Sequence, residues 1–485
     1  MHFIAKLFPE ITIKSSPVRK RLTRQLRDNL RRLLRPLEAG IDVQRDWEKL
    51  DVVVPDDRPE LAEAVAGVLA STPGIAKFSR VDACPLVSIE DIRDRVVASW
   101  GARVAGKTFC VRVKRTGHHD FSSMDVERQV GAGLYALGTS AGVNLRAPEV
   151  VVPIEIRADQ VFLLQDTRQG LGGFPLGSQD SVLSLISGGF DSTVASYLTM
   201  KRGLLTHFCF FNLGGRAHEL GVKEVAYYLW RRYGASHRVL FVTVPFDRVV
   251  GEILEKVDNG YMGVVLKRMM IRAANRVAAA MEAGAIVTGE SVAQVSSQTL
   301  ANLGVIDEVS DMLTLRPLAV MDKGAIIDIA RVIGTEQFAA TMPEYCGVIS
   351  VKPRTRARRE RVVREEENFD FAVLDEAIAG RRTETIDNLL TDDLAVGPGV
   401  AIFATPQPGA VIIDIRHPDE IARHALKAGS ARILTIPFFN LDRQVAELDP
   451  ARQYLLYCDR GVMSRLHAEL LHDKGYANIG VYRPG

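Results

Sequence analysis

Residues 182–192 of this chain read VLSLISGGFDS, and a run with helical character, TVASYL, follows at 193–198. The apolar run predicts a β-strand, the hexapeptide Ser187-Gly188-Gly189-Phe190-Asp191-Ser192 a turn, and the last run the start of a helix. Glycine lets the backbone approach a ligand closely, and the first N–H groups of a helix have no partner within it. The stretch therefore predicts an anion site at the carboxyl end of a strand.

The hexapeptide differs from a Walker A loop, because no Gly-Lys-Ser/Thr follows it. It resembles the PP-loop of ATP pyrophosphatases, enzymes that use ATP to adenylate a substrate and release pyrophosphate. The alternative is a simple strand-to-helix turn in which Asp191 or Ser192 only caps the helix.

The sequence around the hexapeptide predicts an α/β protein of several domains. Apolar strands and helices alternate from 182 to 288, which indicates a doubly wound, mostly parallel sheet. Residues 1–167 read as α+β, and a shorter α/β unit ends the chain. In detail, we expect a strand at 3–14, a helix at 222–233 and a polar linker at 381–399.

Length and composition narrow the protein class. A chain of 485 residues is too long for a single core. It has no apolar run long enough to span a bilayer, and its charged N-terminus does not fit a signal peptide, so we expect a cytoplasmic protein without a membrane segment. The cysteines are widely spaced, without a Cys-x-x-Cys pair, which argues against a disulfide scaffold and a zinc motif. We expect no bound metal and no iron–sulfur cluster.

The positive charge of the chain is concentrated near its N-terminus. The net charge is only +2, but residues 14–35 contain nine Lys and Arg and a single acid, Asp28. Leucines recur there at helical spacing, as Leu22, Leu26, Leu30 and Leu34 show. The pattern predicts an amphipathic helix whose outer face is basic. A polyanion partner is favoured over a merely solvated surface helix.

Cys458 follows the apolar run 454–457 and opens the loop Cys458-Asp459-Arg460-Gly461-Val462-Met463-Ser464 ahead of a helix. Backbone N–H groups and a helix N-terminus stabilise a thiolate at such a position. The loop resembles the active loop of rhodanese domains. A cysteine phosphatase needs arginine six positions after its cysteine, where this chain has Ser464, so sulfur transfer is favoured. The alternative is a buried structural cysteine.

Other candidate residues are less distinctive. Cys346 lies on a loop between Pro343 and Gly347, where it could resolve a persulfide as a transient disulfide. The other cysteines, Cys84, Cys110 and Cys209, fall in strand-like runs and are expected in the core. Polar candidates near the nucleotide motif are Lys267, Gly289, Gln298 and Lys323. Each of these alone is equally well explained as a surface cation or a polar turn.

Together these motifs resemble one family, the tRNA uracil 4-sulfurtransferases, in the long form with a C-terminal rhodanese domain. Arg112-Val113-Lys114-Arg115 with Phe121-Ser122-Ser123 looks like the core of a THUMP RNA-binding domain, and Pro343–Val348 looks like the cysteine segment of the family. The resemblance implies a ferredoxin-like domain at 1–62, a THUMP domain at 63–167, a PP-loop domain at 168–395 and a rhodanese domain at 407–485.

The resemblance also implies roles for individual residues. Asp191 and Lys323 would be needed for adenylation, Cys458 would carry a persulfide, and Cys346 would be its disulfide partner. ATP with Mg²⁺ would contact Leu185, Ile186, Ser187, Gly188, Gly189, Asp191, Ser192, Lys267, Gly289 and Gln298. The implied partners are tRNA, a cysteine desulfurase as sulfur donor and a sulfur-carrier protein of thiamine synthesis, with homodimerisation left open.

Three other functions remain as alternatives. A plain rhodanese would leave two-thirds of the chain without a role and would not need ATP. An RNA chaperone without catalytic activity would keep its RNA-remodelling activity after replacement of Asp191 by Asn. Among PP-loop enzymes, 2-thiolation enzymes and lysidine-type ligases are near rivals, although a ligase needs no sulfur carrier such as Cys458.

Overall fold

The computed structural model describes residues 1–46, 48–213, 215–342, 352–389, 400–416, 418–429, 431–458 and 462–484. Cys346 lies outside these residues. The chain divides into two compact units, Met1–Pro175 and Leu176–Gly485. Within the described part, no helix is both long enough and apolar enough to cross a membrane.

The first unit is an α+β structure built on one sheet with strand order β2-β3-β1-β4-β8-β7-β5-β6. Its elements are β1 (His2–Leu7), α1 (Pro9–Thr12), α2 (Ser16–Leu34), β2 (Asp42–Arg45), β3 (Lys49–Val53), α3 (Pro59–Ser71), β4 (Ile75–Pro85), α4 (Ile89–Val104), β5 (Thr108–Thr116), α5 (Ser123–Ala136), β6 (Gly142–Val143), β7 (Val150–Arg157) and β8 (Gln160–Gln169).

Two apolar cores support this sheet. Helix α2 buries Leu22, Leu26, Leu30 and Leu34, each at most 2% exposed, in a core shared with α3 and β1. Helices α4 and α5 pack on β5 and β7 in a second core. The i, i+4 spacing of the leucines therefore orients α2, so that its basic residues face solvent as the sequence predicts.

The second unit begins with a six-stranded sheet of order β13-β12-β9-β10-β11-β14. Its elements are β9 (Ser181–Leu185), α6 (Phe190–Lys201), β10 (Leu205–Asn212), α7 (Gly215–Leu229), β11 (Leu240–Pro245), α8 (Asp247–Lys256), α9 (Met262–Ala280), β12 (Ala285–Val287), α10 (Leu300–Asp307), β13 (Leu313–Leu315), α11 (Lys323–Ile333), α12 (Glu336–Thr341), α13 (Arg359–Glu367), α14 (Phe371–Ala379) and β14 (Arg382–Thr385).

Strand β9 is the switch point of this sheet, where the order in which strands are added changes from one side to the other. The chain proceeds from β9 to β10 and β11 on one side, then returns to add β12 and β13 on the other, and all of these strands are parallel. Ligands in such sheets bind in the crevice outside the carboxyl ends of the strands at the switch point. The segments that follow β9 and β12 therefore border the expected site.

The C-terminal part of the second unit has a parallel sheet of its own, with order β15-β19-β18-β16-β17. Its elements are β15 (Ile402–Phe403), β16 (Val411–Asp414), α15 (Pro418–Arg423), β17 (Arg432–Thr435), α16 (Phe438–Gln444), β18 (Tyr454–Tyr457), α17 (Val462–Asp473) and β19 (Ile479–Tyr482). Strand β18, which leads to Cys458, lies in the middle of this sheet.

Three predictions of local structure were wrong in part. The polar linker at 381–399 begins with β14, which pairs antiparallel with β11. An edge strand needs few apolar side chains, so its composition resembled a loop. The strand at 3–14 ends at Leu7, because Pro9 starts α1. The helix predicted at 222–233 begins at Gly215 and ends in a π-helical turn, Trp230–Gly234. Its first turns were not predicted because they contain glycine and polar residues.

Candidate active site

The loop after β9 is held in its conformation by a positive φ angle and by hydrogen bonds between its own residues. Gly188 has a φ of +84°, a backbone conformation that side-chain-bearing residues rarely adopt. The Ser187 N–H donates a 3.1 Å hydrogen bond to Ser192 Oγ. Helix α6 begins at Phe190, so Asp191 and Ser192 lie inside it and do not cap it. Its N-cap is Gly189, and no side chain makes a cap hydrogen bond. The loop thus leaves the N-terminal N–H groups of α6 to a ligand.

Asp191 is the charged centre of the site. Lys323 Nζ donates to Asp191 Oδ1 at 2.8 Å, and Gln294 Nε2 donates to Asp191 Oδ2, also at 2.8 Å. Lys323 is the first residue of α11, whose N-cap Asp322 accepts from the Ala325 N–H at 2.8 Å. The predicted pair Asp191 and Lys323 is therefore in direct contact, with the side chain of Lys323 still 41% exposed.

Gly289 lies against the backbone of the loop. A side-chain carbon placed on Gly289 would be 2.6 Å from the carbonyl carbon of Asp191 and 2.6 Å from the nitrogen of Ser192. Contacts this short do not occur, so only glycine fits without moving the loop. The carboxyl ends of β12 and β9 are in contact here, as the switch point predicts.

Glu290 follows Gly289 and is 5% exposed. Its carboxylate accepts from Lys267 Nζ at 3.0 Å, Arg316 Nε at 2.9 Å and Thr288 Oγ1 at 3.0 Å. Burial raises the pKa of Glu290, but the charges of Lys267 and Arg316 outweigh burial and hold that pKa below its ordinary value. Lys267 is thus held at the switch point by a carboxylate partner.

Gln298 ends a short 3-10 turn and is 8% exposed. Its Oε1 atom is buried, and it has no hydrogen-bond partner among the described residues. The loop that leads to it contains Ala293 at a φ of 67°, a strained conformation for alanine. A buried acceptor without a partner is costly, so the site favours a ligand that donates a hydrogen bond here.

The remaining nucleotide candidates are backbone and apolar positions beside the loop. Leu185 ends β9 and packs on the core of the sheet, while Ile186 is buried and its N–H donates to the Cys209 carbonyl at 2.9 Å. The site as a whole offers the first N–H groups of α6, the Lys323 ammonium and the buried Gln298 acceptor. This set can stabilise charge that develops on phosphate oxygens.

Cys458 follows β18 and is 7% exposed. Its Sγ accepts a 3.3 Å hydrogen bond from the Ser464 N–H and lies 3.5 Å from Ser464 Oγ. The buried side chain of Ser464 therefore occupies the position where a cysteine phosphatase would need arginine. The N–H groups of the first turn of α17 can stabilise negative charge on the sulfur.

The other described cysteines differ from Cys458. Cys209 and Cys110 are buried, as predicted, whereas Cys84 is only half-buried. Burial raises the pKa of Cys209 to about 12, and it also raises the pKa values of Cys110 and Cys84. These thiols are therefore unreactive near neutral pH.

Basic side chains cover the exposed face of α2. Lys20, Arg21, Arg24 and Arg35 are exposed and form no ion pair with any residue that the structure describes. On β5, Arg112 and Lys114 are exposed and alternate with the less exposed Val111, Val113 and Arg115. These two elements give the first unit a cationic surface suited to phosphates.

Sequence reasoning missed two polar residues of the nucleotide site. Gln294 donates to Asp191. His218 Nε2 lies 3.3 Å from the Ser187 carbonyl oxygen. Burial lowers the pKa of His218, although its bond to the Ser187 carbonyl opposes this. The only available signal for Gln294 was its position shortly after the carboxyl end of β12. In the part of the chain described, no group of three or more His, Cys, Asp or Glu could hold a metal ion.

Comparison with family models gives four matches along the chain. The model described as Thiamine biosynthesis protein (ThiI) matches residues 177–371, and a ThiI ferredoxin-like domain matches 3–79. A THUMP domain matches 88–166, and a Rhodanese-like domain matches 403–485. These matches confirm the predicted fold class, an α/β protein with ferredoxin-like, THUMP, PP-loop and rhodanese-like parts.

Curated relatives match over the full length. The chain is 53% identical over 484 residues to the tRNA sulfurtransferase of Saccharophagus degradans and 52% identical over 485 residues to that of Shewanella pealeana, covering 100% of both proteins in each case. Among solved structures, a 4-thiouridine synthetase–RNA complex with bound ATP matches with a TM-score of 0.69 at 24% identity. That match covers 79% of this chain and 99% of the other.

Proposed function

Because the chain belongs to the tRNA sulfurtransferase family, we propose that it uses ATP to convert a uridine of tRNA to 4-thiouridine, with sulfur carried on Cys458. The observation that carries the proposal is the contact of Asp191 with Lys323 beside the open N-terminus of α6. A chain that holds this site and the Cys458 loop can both activate a carbonyl and supply sulfur.

Adenylation is the first step. The C4 oxygen of uracil is a poor leaving group. It attacks the α-phosphate of ATP and displaces pyrophosphate, which gives an adenylate whose C4 oxygen can later leave as part of AMP. The N–H groups of α6 and the Lys323 ammonium would stabilise the charge on the phosphates. Asp191 and Gln294 would keep Lys323 in position through the hydrogen bonds described above.

The nucleotide would be bound by polar side chains and backbone groups of the site. ATP enters as its Mg²⁺ complex, and the adenine amino group would donate to the buried Gln298 Oε1. Leu185 and Ile186 would contact the nucleotide, and Gly289 would allow the loop to approach the phosphates closely. Lys267 would contact ATP while its charge is balanced by Glu290.

Sulfur transfer is the second step. The Cys458 thiolate attacks the terminal sulfur of a persulfide on a cysteine desulfurase, and the donor cysteine leaves as a thiolate. The new terminal sulfur on Cys458 then attacks C4 of the adenylated uridine and expels AMP. The Ser464 N–H, 3.3 Å from Cys458 Sγ, stabilises negative charge on that sulfur.

Resolution of the persulfide balances the electrons. The Cys346 thiolate attacks Cys458 Sγ, the bond to the transferred sulfur breaks, and 4-thiouridine leaves. The two cysteines are oxidised to a disulfide while the sulfane sulfur is reduced, and an external dithiol must reopen the disulfide. In the alternative order, Cys346 attacks first and releases sulfide, which then attacks C4.

Other partners follow from the same parts. The basic faces of α2 and β5 would bind tRNA through its phosphates. The name of the matching family model supports a second acceptor for the Cys458 sulfur, a carrier protein of thiamine synthesis. We propose a cytoplasmic enzyme.

The test is an assay of purified protein with ATP, a persulfide donor and unmodified tRNA, followed by nucleoside mass spectrometry. We expect 4-thiouridine from the unmodified protein, none from Cys458→Ala, and normal yield from Cys84→Ala. Absence of any thionucleoside, or full activity of Cys458→Ala, would sink the proposal. Activity without ATP would favour a plain rhodanese.

A further inference from the structure

One face of helix α7 contacts both the glycine-rich loop and the C-terminal sheet domain. His218 Nε2 lies 3.3 Å from the Ser187 carbonyl oxygen of the glycine-rich loop. One turn along, a side-chain carbon on Gly221 would be 2.9 Å from the methyl carbon of Met342, and one on Gly188 would be 2.6 Å from the same atom. The Met342 methyl group therefore sits against both the loop and α7.

The next turns of α7 reach the C-terminal sheet domain. His467 of α17 and Glu224 of α7 share a 2.8 Å hydrogen bond between Nε2 and Oε1. Tyr228 of α7 contacts Phe338 of α12 at 5.1 Å between ring centroids, Phe338 contacts Phe438 of α16 at 4.8 Å, and Phe438 contacts His467 at 5.8 Å. These five residues form a continuous series of contacts that begins and ends on α7, which we name the docking cluster: Glu224, Tyr228, Phe338, Phe438 and His467.

The docking cluster is buried and mixed in chemistry. Tyr228, Phe338, Phe438 and Glu224 are each at most 8% exposed, and the side chain of His467 is 15% exposed. The tilted aromatic rings of the cluster contribute buried apolar area, and such burial is not directional. A buried carboxylate–imidazole hydrogen bond is directional and costly to break, so it fixes the register of α17 on α7.

Both reactive segments start from elements of this cluster. On α17, Ser464 holds Cys458 Sγ and stands one turn before His467. On the other side, Met342 packs one turn before Glu224 on α7, and Cys346 follows Met342 by four residues in the chain. Four residues of chain span at most about 14 Å. A shift of α17 along α7 would thus move Cys458 relative to the point from which the Cys346 segment departs.

We propose that the docking cluster, through the Glu224–His467 hydrogen bond, positions the Cys458 loop for sulfur delivery and for disulfide closure with Cys346. The inference rests on the proposed function, since it assigns positioning residues for that reaction. Glu224 and His467 would act as positioning residues, through the helices that carry them. A disulfide requires the two Cα atoms within about 7 Å, and small misplacements of reacting groups slow a reaction steeply.

The experiment separates delivery from the chemistry at the nucleotide site. Protein preloaded with persulfide on Cys458 is mixed with ATP and tRNA in a single turnover, and the Cys346–Cys458 disulfide is quantified by non-reducing peptide mapping. A parallel arm uses Cys458-unloaded protein with free sulfide, which attacks the adenylated uridine without the C-terminal domain. Variants are His467→Ala, Glu224→Ala and the conservative His467→Gln, whose amide can still donate to Glu224.

We expect His467→Ala and Glu224→Ala to slow disulfide closure roughly 10- to 100-fold while sulfide-driven thiolation stays within two-fold. His467→Gln should recover part of the rate. His472→Ala is the matched control, because His472 lies on the same helix but bonds the Ile479 carbonyl inside its own domain at 2.7 Å; its closure rate should be normal.

The outcomes distinguish the two proposals. Normal closure in His467→Ala, or an equal loss in both arms, would overturn the positioning role alone. If the unmodified protein forms no Cys346–Cys458 disulfide while it makes 4-thiouridine, the proposed resolution step and the positioning role both fall.

Discussion

Lys323 Nζ lies 2.8 Å from Asp191 Oδ1, although 132 positions of sequence separate the two residues. The contact joins the first turn of α6 to the first residue of α11. It gives a half-exposed cation a carboxylate partner beside the N-terminus of α6. In the proposed reaction, this cation would stabilise the departing pyrophosphate. An exposed lysine that only balances a carboxylate contributes little stability, and we propose that this pair serves catalysis.

Replacing Lys323 by Ala should therefore lower the rate of tRNA adenylation by about 10²–10³-fold, because one charge that stabilises the transition state is lost. Persulfide loading of Cys458 should be unchanged. Pyrophosphate release in the presence of tRNA measures the effect. Arg331→Ala, on the exposed side of the same helix, is the control. A Lys323→Ala rate within two-fold of normal would contradict the assigned role.

Gly289→Ala should weaken ATP use by moving the loop. The added methyl group would lie 2.6 Å from backbone atoms of Asp191 and Ser192, which cannot swing aside as a side chain could. We expect the KM for ATP to rise about ten-fold or more, equivalent to at least about 1.4 kcal/mol.

Gly304→Ala is the matched control for this prediction. Gly304 lies within α10, and a side-chain carbon there would meet no atom within 4 Å. Alanine should raise stability by roughly 0.5–1 kcal/mol and leave the KM for ATP unchanged. Equal kinetics for the two alanine variants would show that close packing on the loop is irrelevant.

These residues also show what sequence can and cannot predict. The turn after β9 is predictable because strand, glycines and helix are contiguous, and the switch point follows from the order of strands and helices. The Gln294–Asp191 bond joins residues 103 positions apart, and the only signal for Gln294 was its position shortly after the carboxyl end of β12. Strand β14 was missed because an edge strand with polar side chains has no apolar alternation to detect.

Gln298→Leu tests the orphan acceptor. The change removes a buried oxygen that has no partner in the described part of the protein, so the melting temperature should stay the same or rise. The KM for ATP should rise about ten-fold, since one hydrogen bond from the ligand is lost.

A buried amide with partners should behave in the opposite way. Asn302 donates to the carbonyls of Ser296 and Arg354 and accepts from the Ala357 N–H. Asn302→Leu should lower stability by at least about 2 kcal/mol, because three buried polar groups lose their partner. If Gln298→Leu is equally destabilising, Gln298 is a structural residue and not a nucleotide contact.

Acid should loosen the first unit through Glu155. Burial raises the pKa of Glu155, but Lys49, Lys6 and Arg157 outweigh burial and lower it from 4.5 to about 2. A lowered carboxyl pKa stabilises the fold above pH 4.5, and this contribution is lost between pH 4.5 and about 2. Glu155→Gln should cost up to about 3 kcal/mol at neutral pH.

Hydrogen–deuterium exchange of β7 peptides measures this effect in the intact chain. The difference in protection between unmodified protein and Glu155→Gln should be full at pH 7 and shrink as the pH falls below 4.5. Glu63→Gln removes an exposed ion pair with Arg168 and should change protection by less than about 1 kcal/mol. A pH-independent difference would show that Glu155 acts through packing alone.

Arg21 and Arg24 of α2 should contribute phosphate contacts to tRNA binding. Both are exposed on the face opposite the buried leucines and have no ion-pair partner within the described residues. Replacing both with Ala should raise the Kd and lower the slope of log K against log salt by about one to two, because each contact releases about one counterion. Arg452→Ala, an exposed cation of the C-terminal sheet domain, is the control. An unchanged Kd and an unchanged salt slope in the double variant would mean that tRNA binds elsewhere. A weaker affinity with an unchanged slope would instead point to a shape change in α2.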